Sequence, residues 1–264
     1  MSWPRFAKYP AFAWAARQKV LHAPAEVYGR ALFMGLILGI FTALWRAVSE
    51  SGMPVSAEPA RLVWYLAITE WIVLSAPLIH LEIEREVRRG DVAYRLSRPA
   101  SYLGSLLFEA LGELSVRLPT LGCAAFGWAW VFTREFPSEP ASWLWAIPLA
   151  AFAAVVLTVI YLLIGVLAFW LGETAPVHWV CQKLLFVLGG LMLPLELYPR
   201  TLLTVAHLTP FPAMLYAPAS LVLGTAGTSA GTVACWLGVW FALLVALAAL
   251  LLRSAHRKLQ LGGG

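Results

Sequence analysis

Six mostly apolar stretches dominate the sequence, and most are as long as the roughly 20 residues that a helix needs to cross a bilayer. They lie near residues 30–48, 62–80, 103–132, 143–171, 178–193 and 231–252. Because 61% of all residues are hydrophobic, the chain carries more apolar surface than a soluble core could bury. The sequence therefore predicts an all-α integral membrane protein with six transmembrane helices, folded as a single domain over residues 1–264.

Basic residues are unevenly distributed between the two ends of these stretches. Lysine and arginine are retained on the cytoplasmic side of a membrane. One predicted side holds Arg5, Lys8, Arg17, Lys19, Arg30, Arg85, Arg88, Arg89, Arg95, Arg98, Arg253, Arg257 and Lys258, and the other holds Arg61, Arg134 and Arg200. We therefore expect both termini in the cytoplasm. The net charge of +5 then reflects topology, and nothing indicates nucleic-acid binding.

The first 29 residues predict a cytoplasmic segment that lies on the membrane surface before the first span. This segment mixes lysine and arginine with aromatic residues, as interfacial helices do. Pro10 and Pro24 are expected to interrupt it.

Within the region 194–230, residues 201–224 are apolar enough to suggest a seventh span, but an odd number of spans would place the basic C-terminal tail outside. Three prolines, Pro210, Pro212 and Pro218, interrupt it. We interpret it as broken helices that dip into the outer leaflet and return. The span before it begins only at about His178 and is too short for a regular crossing, so its broken end must be buried against protein or line a cavity. A plain outer loop is the alternative.

The stretch "EIEREVRRGDVAYRLSRP", residues 82–99, holds four acidic and five basic side chains. The pattern "LEIEREV" predicts a helix in which Leu81, Ile83 and Val87 pack inward, Glu82, Glu86 and Arg89 face water, and Gly90 ends the helix. A loop that only anchors orientation would need basic residues alone. The balance of signs favours a docking surface for a partner protein, and a solvated loop is the alternative.

Glu70 lies near the centre of the second stretch, where an ionised carboxylate costs about 2.5–3.5 kcal/mol. Trp64, Tyr65 and Trp71 lie within two helical turns. Aromatic rings beside a carboxylate could bind an organic cation, so these four residues are candidates for the substrate pathway. A structural hydrogen bond to a neighbouring helix is the alternative.

Glu109, Glu113 and Arg117 recur every four residues, so they form one stripe on the third predicted helix. This stripe is expected to be a structural ion-pair face. Alternatively, Glu109 and Glu113 line an inner vestibule on the substrate pathway.

Taken in order, the charged element "E-x-x-x-G-D-x-x-x-x-L-x-R-P", the segment "GGLMLPLELYP" and the following "LTPFPAMLYAP" resemble permease subunits of type 2 ABC exporters. The tail "RKLQLGGG" resembles the branch with two permeases encoded beside one ATPase. The resemblance implies a bacterial cytoplasmic membrane, two copies of an ATPase that binds ATP and Mg, and a second permease, identical or homologous. The substrate is predicted from Glu70 and its aromatic neighbours instead, as a hydrophobic or amphipathic molecule, with lipids, peptides and glycans as alternatives.

The resemblance also assigns roles to particular segments. Residues 81–100 would be the coupling element, which sits in a cleft of the ATPase. Its contact residues would be Glu82, Glu84, Arg85, Glu86, Arg88, Arg89, Asp91, Arg95 and Arg98. The outer re-entrant helices would cap the exit path, with gate candidates at Gly189, Gly190, Pro194, Leu195 and Pro199.

The chain has no G-x-x-x-x-G-K-[ST] sequence, so we expect no ATP site of its own. Its three cysteines lack metal-ligand spacing, and we predict neither a metal nor a cofactor. The match of "GTSAG" (227–231) to G-x-S-x-G raises an intramembrane serine protease, but a helical chain lacks the strand-to-helix turn that such a nucleophile needs. A secondary transporter or channel is the stronger alternative, although the two halves show no inverted repeat.

Overall fold

The structure is a computed structural model that describes residues 8–51, 58–96, 100–136, 140–222 and 229–262. This part of the chain is all-helical and contains no strand. The first six helices are α1 Tyr9–His22, α2 Ala25–Glu50, α3 Pro59–Ser75, α4 Ile79–Arg89, α5 Asp91–Leu96 and α6 Tyr102–Thr133. The remainder are α7 Pro140–Val166, α8 Ala168–Leu171, α9 Ala175–Leu188, α10 Arg200–His207, α11 Phe211–Met214, α12 Tyr216–Val222 and α13 Ala230–Gly262. The expected all-α class is confirmed.

Four segments are long and apolar enough to cross a membrane, judged by length and composition over the described ranges. They are Ala25–Glu50, Pro59–Arg89, Trp143–Leu171 and Ala230–Ala255. The helix α6 falls outside this group; Glu109, Glu113 and Arg117 lie along it. The shorter α9 is also apolar. Each of the six predicted stretches overlaps one of these helices.

Helices α3 and α7 form the centre of the bundle. Thirteen of the 17 residues of α3 are buried, and α7 contributes fully buried small residues such as Ala150 and Ala153. On one side α6 packs against α1, α2 and α3, and on the other α7 packs against α4, α12 and α13. The apolar stretches of α2 and α13 are only 28% and 17% buried, so these helices lie at the periphery and expose apolar faces.

The helix α1 packs along α6. A side chain at Gly112 would place its Cβ only 2.0 Å from the carbonyl oxygen of Ala13, so the close approach of the two backbones requires glycine there. Pro10 lies in the first turn of α1, where a missing backbone N–H breaks no helical hydrogen bond. The expectation that Pro10 interrupts this segment is therefore wrong. Pro24 does separate α1 from α2.

The region after α9 consists of short pieces. A 3₁₀ turn at Leu195–Leu197 is followed by α10, α11 and α12, as the three prolines predicted. Two hydroxyl groups of α3 bond to the turn that follows α9. Tyr65 donates to the carbonyl of Gly190, and Thr69 donates to that of Leu191 over 2.9 Å. The broken end of α9 is thus buried against protein.

Candidate functional site

The charged stretch forms two helices that meet at a sharp turn. Pro77 lies between α3 and α4, and α4 ends at Gly90, whose φ of 77° is left-handed and favours glycine. The following helix, α5, begins at Asp91. The predicted helix and its end at Gly90 are therefore confirmed. Arg98, a predicted contact residue, lies outside the described residues.

One face of the coupling element is bonded to α6. The guanidinium of Arg95 bridges the carboxylates of Glu86 and Glu109, and all three side chains are at most 20% exposed. The hydroxyl of Tyr102 also donates to Glu86 over 3.0 Å. The expectation that Glu86 faces water is wrong, because α5 turns back and brings Arg95 to it.

A second group of contacts joins α4 to the start of α9. The backbone N–H and the hydroxyl of Thr174 donate to the Glu84 carboxylate over 2.8 and 2.6 Å. The hydroxyl bond is the main cause that lowers the pKa of Glu84 below its usual value. Arg88 donates to the carbonyl of Gly172 over 2.9 Å. Because Thr174 immediately precedes α9, these bonds join α4 to the beginning of this helix.

Side-chain packing also joins α4 to α7 and α9. Ile83 is completely buried, and a Cβ at Gly165 of α7 would lie 2.5 Å from its side chain. The rings of His80 and His178 stack with centroids 4.1 Å apart, so α4 and α9 also meet through two imidazoles. The coupling element is therefore held against α7 and α9 by close contact as well as by charge.

A chain of ion pairs continues from α6 to α1 and α2. Arg117 is 2.8 Å from Glu113 and 3.2 Å from Glu26. Lys19 of α1 lies 3.8 Å from Glu113, and Glu26 also pairs with Arg30 at 2.7 Å. The predicted pair of Glu113 with Arg117 is confirmed, whereas Glu109 pairs with Arg95.

The same acids line two adjoining cavities at the end of the bundle that holds α1, α4 and α5. The larger has a volume of about 430 Å³ and lies between α1 and the coupling element. The smaller, about 210 Å³, lies between α2, α4 and α6. Both are lined by Lys19, Glu82, Glu109 and Glu113. The stripe on α6 is therefore an ion-pair face whose acids also line these cavities. A place for Glu109 and Glu113 on the substrate pathway stays a prediction.

The opposite face of the coupling element is exposed. It carries Arg85, Arg88 and Arg89, of which Arg88 also pairs with Glu84 at 3.6 Å. Asp91 is exposed as well, but it lines the larger cavity. Glu82 lies at the edge between the two faces and is 4.0 Å from Lys19. The expectation that Leu81 packs inward is wrong: it is 42% exposed and lies at the rim of the smaller cavity. Of the eight predicted contact residues that the structure describes, Glu84, Glu86 and Arg95 thus bond to the rest of the bundle, and the others lie at the edge or on exposed positions.

Glu70 and its aromatic neighbours lie in the interior of the bundle. Trp64, Tyr65, Glu70 and Trp71 are at most 5% exposed. The indole N–H of Trp64 donates to the Glu135 carbonyl over 3.1 Å, and that of Trp71 donates to the Leu118 carbonyl over 2.8 Å. No hydrogen bond or ion pair joins Glu70 to another of the described residues. These contacts favour a structural role for the aromatic side chains.

We expect Glu70→Gln to leave the thermal unfolding midpoint unchanged or higher, because a carboxylate without a counter-ion is costly in a membrane interior. The matched control is Glu113→Gln, which removes the negative charge that pairs with Arg117 and Lys19 and should lower the midpoint. Both are measured by thermal unfolding of the purified full chain. A Glu70→Gln variant that folds normally but needs more substrate for export would instead place Glu70 in the substrate pathway.

The predicted outer gate residues occupy a buried turn. Gly189, Gly190, Pro194 and Leu195 are buried, whereas Pro199 is exposed. Beside them lies a cavity of about 250 Å³ that reaches from Leu195 to α13. The sequence therefore located a closely packed corner at this end of the bundle, and its role as a gate stays a prediction.

Sequence reasoning missed Lys183. It is the only lysine or arginine between residues 178 and 193, and it is exposed on α9. Its ammonium lies 5.5 Å from the ring centre of Trp179 and 5.4 Å from that of Phe186. A lone basic residue inside an apolar stretch was the signal that could have identified it.

A family described as "ABC-2 family transporter protein" has a sequence model that matches residues 62–263, about three quarters of the chain. The matched range begins in α3 and includes the coupling element, α6, α9 and the outer short helices. No curated protein matches the chain.

Proposed function

Because the chain belongs to the ABC-2 family of transporter proteins, we propose that it forms half of the translocation pathway of an ATP-driven exporter. The family consists of membrane components without an ATP site of their own and implies a partner ATPase subunit. The chain is accordingly a multi-pass membrane protein and a permease rather than an enzyme. The direction of transport, its coupling to ATP hydrolysis and the class of substrate are further parts of this proposal.

The proposed six spans are α2, α3, α6, α7 with α8, α9, and α13. Both termini and the coupling element would face the cytoplasm of a bacterial inner membrane, as the distribution of basic residues indicates. The short helices between α9 and α13 would form the outer re-entrant region. A second permease, identical or homologous, would complete the pathway, and two ATPase copies would supply ATP and Mg. The substrate would be hydrophobic or amphipathic.

The observation that carries this proposal is the two-faced coupling element. Its inner face bonds to three other parts of the bundle, through Arg95 to α6, through Glu84 to α9 and through Ile83 to α7. Its outer face exposes Arg85 and Arg89, and neither side chain pairs with another described residue. An element with this arrangement can be displaced by an ATPase and transmit this displacement to the spans.

The proposed mechanism is alternating access. Closure of the ATPases on ATP would displace α4, and the bonds from Thr174 to Glu84 would carry this displacement to α9. The bridge from Arg95 to Glu109 would carry it to α6. Rearrangement of α2, α3 and α9 would then open the cavity between the permeases to the other side of the membrane.

We expect the solubilised chain to purify together with an ATPase that contains a Walker sequence, and the isolated chain to hydrolyse no ATP. Affinity purification from the native membrane, followed by mass spectrometry and an ATPase assay, measures both. Vectorial transport by the isolated chain in proteoliposomes, driven by an ion gradient alone, would contradict the proposal and support a secondary transporter.

A further inference from the structure

The helix α9 exposes an apolar face with one positive charge in it. This face consists of Trp179, Val180, Lys183, Leu184 and Val187. Its four apolar members are 45–61% exposed, and their spacing places them along one side of the helix. A large apolar surface that carries a single cation fits the chemistry of an amphiphile with a negatively charged head.

Lys183 lies well inside the apolar part of α9. This helix begins beside the coupling element, at the cytoplasmic end of the bundle, and Lys183 is eight residues, or roughly 12 Å, from its start. A lysine at this depth could extend its ammonium toward the interface. Instead, the ammonium lies between Trp179, one turn before it, and Phe186, one turn after it. The positive charge therefore stays at the level of its own residue.

No carboxylate among the described residues lies within ion-pair distance of Lys183. The helices α2, α9 and α13 expose broad apolar faces, and acidic residues occur in them only at the two ends of α2. Because an uncompensated charge inside the bilayer is costly, a bound anion would stabilise Lys183 at this position.

We propose that the exposed face of α9 binds the cargo of this transporter, and that the cargo is a single-chain amphiphile with an anionic phosphate or carboxylate head. Lys183 would bind the head, while Trp179, Val180 and Leu184 would contact the chain. This inference rests on the proposed transport function. It is supported by the bonds from Thr174 to Glu84, which connect the cargo-binding helix to the coupling element.

The test uses the purified full chain in phosphatidylcholine nanodiscs. Two photoreactive probes are compared, dodecyl phosphate and dodecyltrimethylammonium, each with a diazirine at the chain end. After irradiation, labelled peptides are mapped by mass spectrometry. We expect the phosphate probe to label α9 at least about tenfold more than the ammonium probe, which is the size of one hydrogen bond to a charged group.

Three variants assign the labelling to Lys183. Lys183→Gln should reduce labelling by the phosphate probe about tenfold, and Lys183→Arg should preserve it. Arg200→Gln, which removes an exposed charge from the start of α10, should have no effect. Thermal unfolding of each variant shows whether the fold is intact. Equal labelling by both probes, or undiminished labelling of a folded Lys183→Gln variant, would overturn the inference.

Two further measurements distinguish cargo from other sources of negative charge. Complete displacement of the probe by phosphatidylglycerol in the nanodisc would identify a membrane lipid and overturn the cargo assignment. Loss of labelling when the partner permease is added would show that this permease covers the face, and would also overturn it. The binding assay needs neither ATP nor the ATPase, so its failure is distinguishable from a failure of the proposed ATP-driven export.

Discussion

Reversing two exposed charges of the coupling element, with Arg85→Glu and Arg89→Glu together, should weaken binding of the partner ATPase at least about a hundredfold. Both side chains are exposed, and neither pairs with another described residue. If they meet acidic residues of the ATPase, reversal replaces attraction with repulsion, and disrupting a buried charge pair across an interface costs about 2–5 kcal/mol. Titration of the ATPase onto the permease in nanodiscs measures the dissociation constant.

The matched control reverses two exposed arginines at the predicted outer side, Arg61→Glu with Arg200→Glu, and should leave ATPase binding unchanged. Substitutions at exposed positions usually change stability by no more than about 0.5 kcal/mol, so both double variants should unfold at nearly the parental temperature. Unchanged ATPase binding by the Arg85, Arg89 variant would mean that this face is not the docking surface. Since salt screens the attraction between the exposed arginines and the approaching ATPase, the parental affinity should also fall as salt rises.

Replacing Arg95 by Met should destabilise the permease and uncouple ATP hydrolysis from transport. The substitution leaves Glu86 and Glu109, which are 16% and 20% exposed, without their shared counter-ion. Loss of one partner from a buried ion pair costs about 3–5 kcal/mol of stability. Because both carboxylates keep some contact with solvent, we expect a cost near the lower end of this range. We expect the thermal unfolding midpoint to fall by roughly 5–10 °C, measured on the detergent-solubilised chain.

A triple variant separates the loss of a contact from the burial of unpaired charge. In Glu86→Gln, Arg95→Met, Glu109→Gln no ionised group is left without a partner, so the unfolding midpoint should return most of the way to the parental value. Transport should still be uncoupled, because the bridge between the coupling element and α6 is absent. If Arg95→Met alone unfolds at the parental temperature, the bridge contributes little and the coupling route through α6 is wrong.

Local sequence patterns were enough to predict much of the helical structure. Each of the six apolar stretches overlaps a helix, and four of these helices are long and apolar enough to cross a membrane. Gly90 marked the end of α4, and the prolines after Pro194 predicted the short outer helices. The four-residue spacing of Glu113 and Arg117 predicted their ion pair. Each of these features depends on residues within one or two helical turns, where the spacing of side chains follows directly from helix geometry.

The same local patterns could not predict contacts between residues that are distant in the chain. Glu86 was expected in water because it follows the polar side of "LEIEREV", yet Arg95 and Glu109 enclose it once α5 turns back toward α6. The division of the coupling element into an inner and an outer face has the same origin, since it is set by α1, α6, α7 and α9. Lys183 was overlooked because its significance depends on which side of α9 the rest of the bundle leaves open.

The amino-acid sequence by itself determined the membrane setting, the helical class and the position of the charged stretch, because hydrophobicity and helix periodicity are properties of neighbouring residues. Only the tertiary structure decided which charges that are distant in the chain are paired. It placed Arg95 between two acids, connected Glu84 to the first turn of α9, and left Lys183 without a carboxylate partner among the described residues. The physical reason is that the energy of a charge depends on the atoms around it in space, and residues distant in the chain supply those atoms.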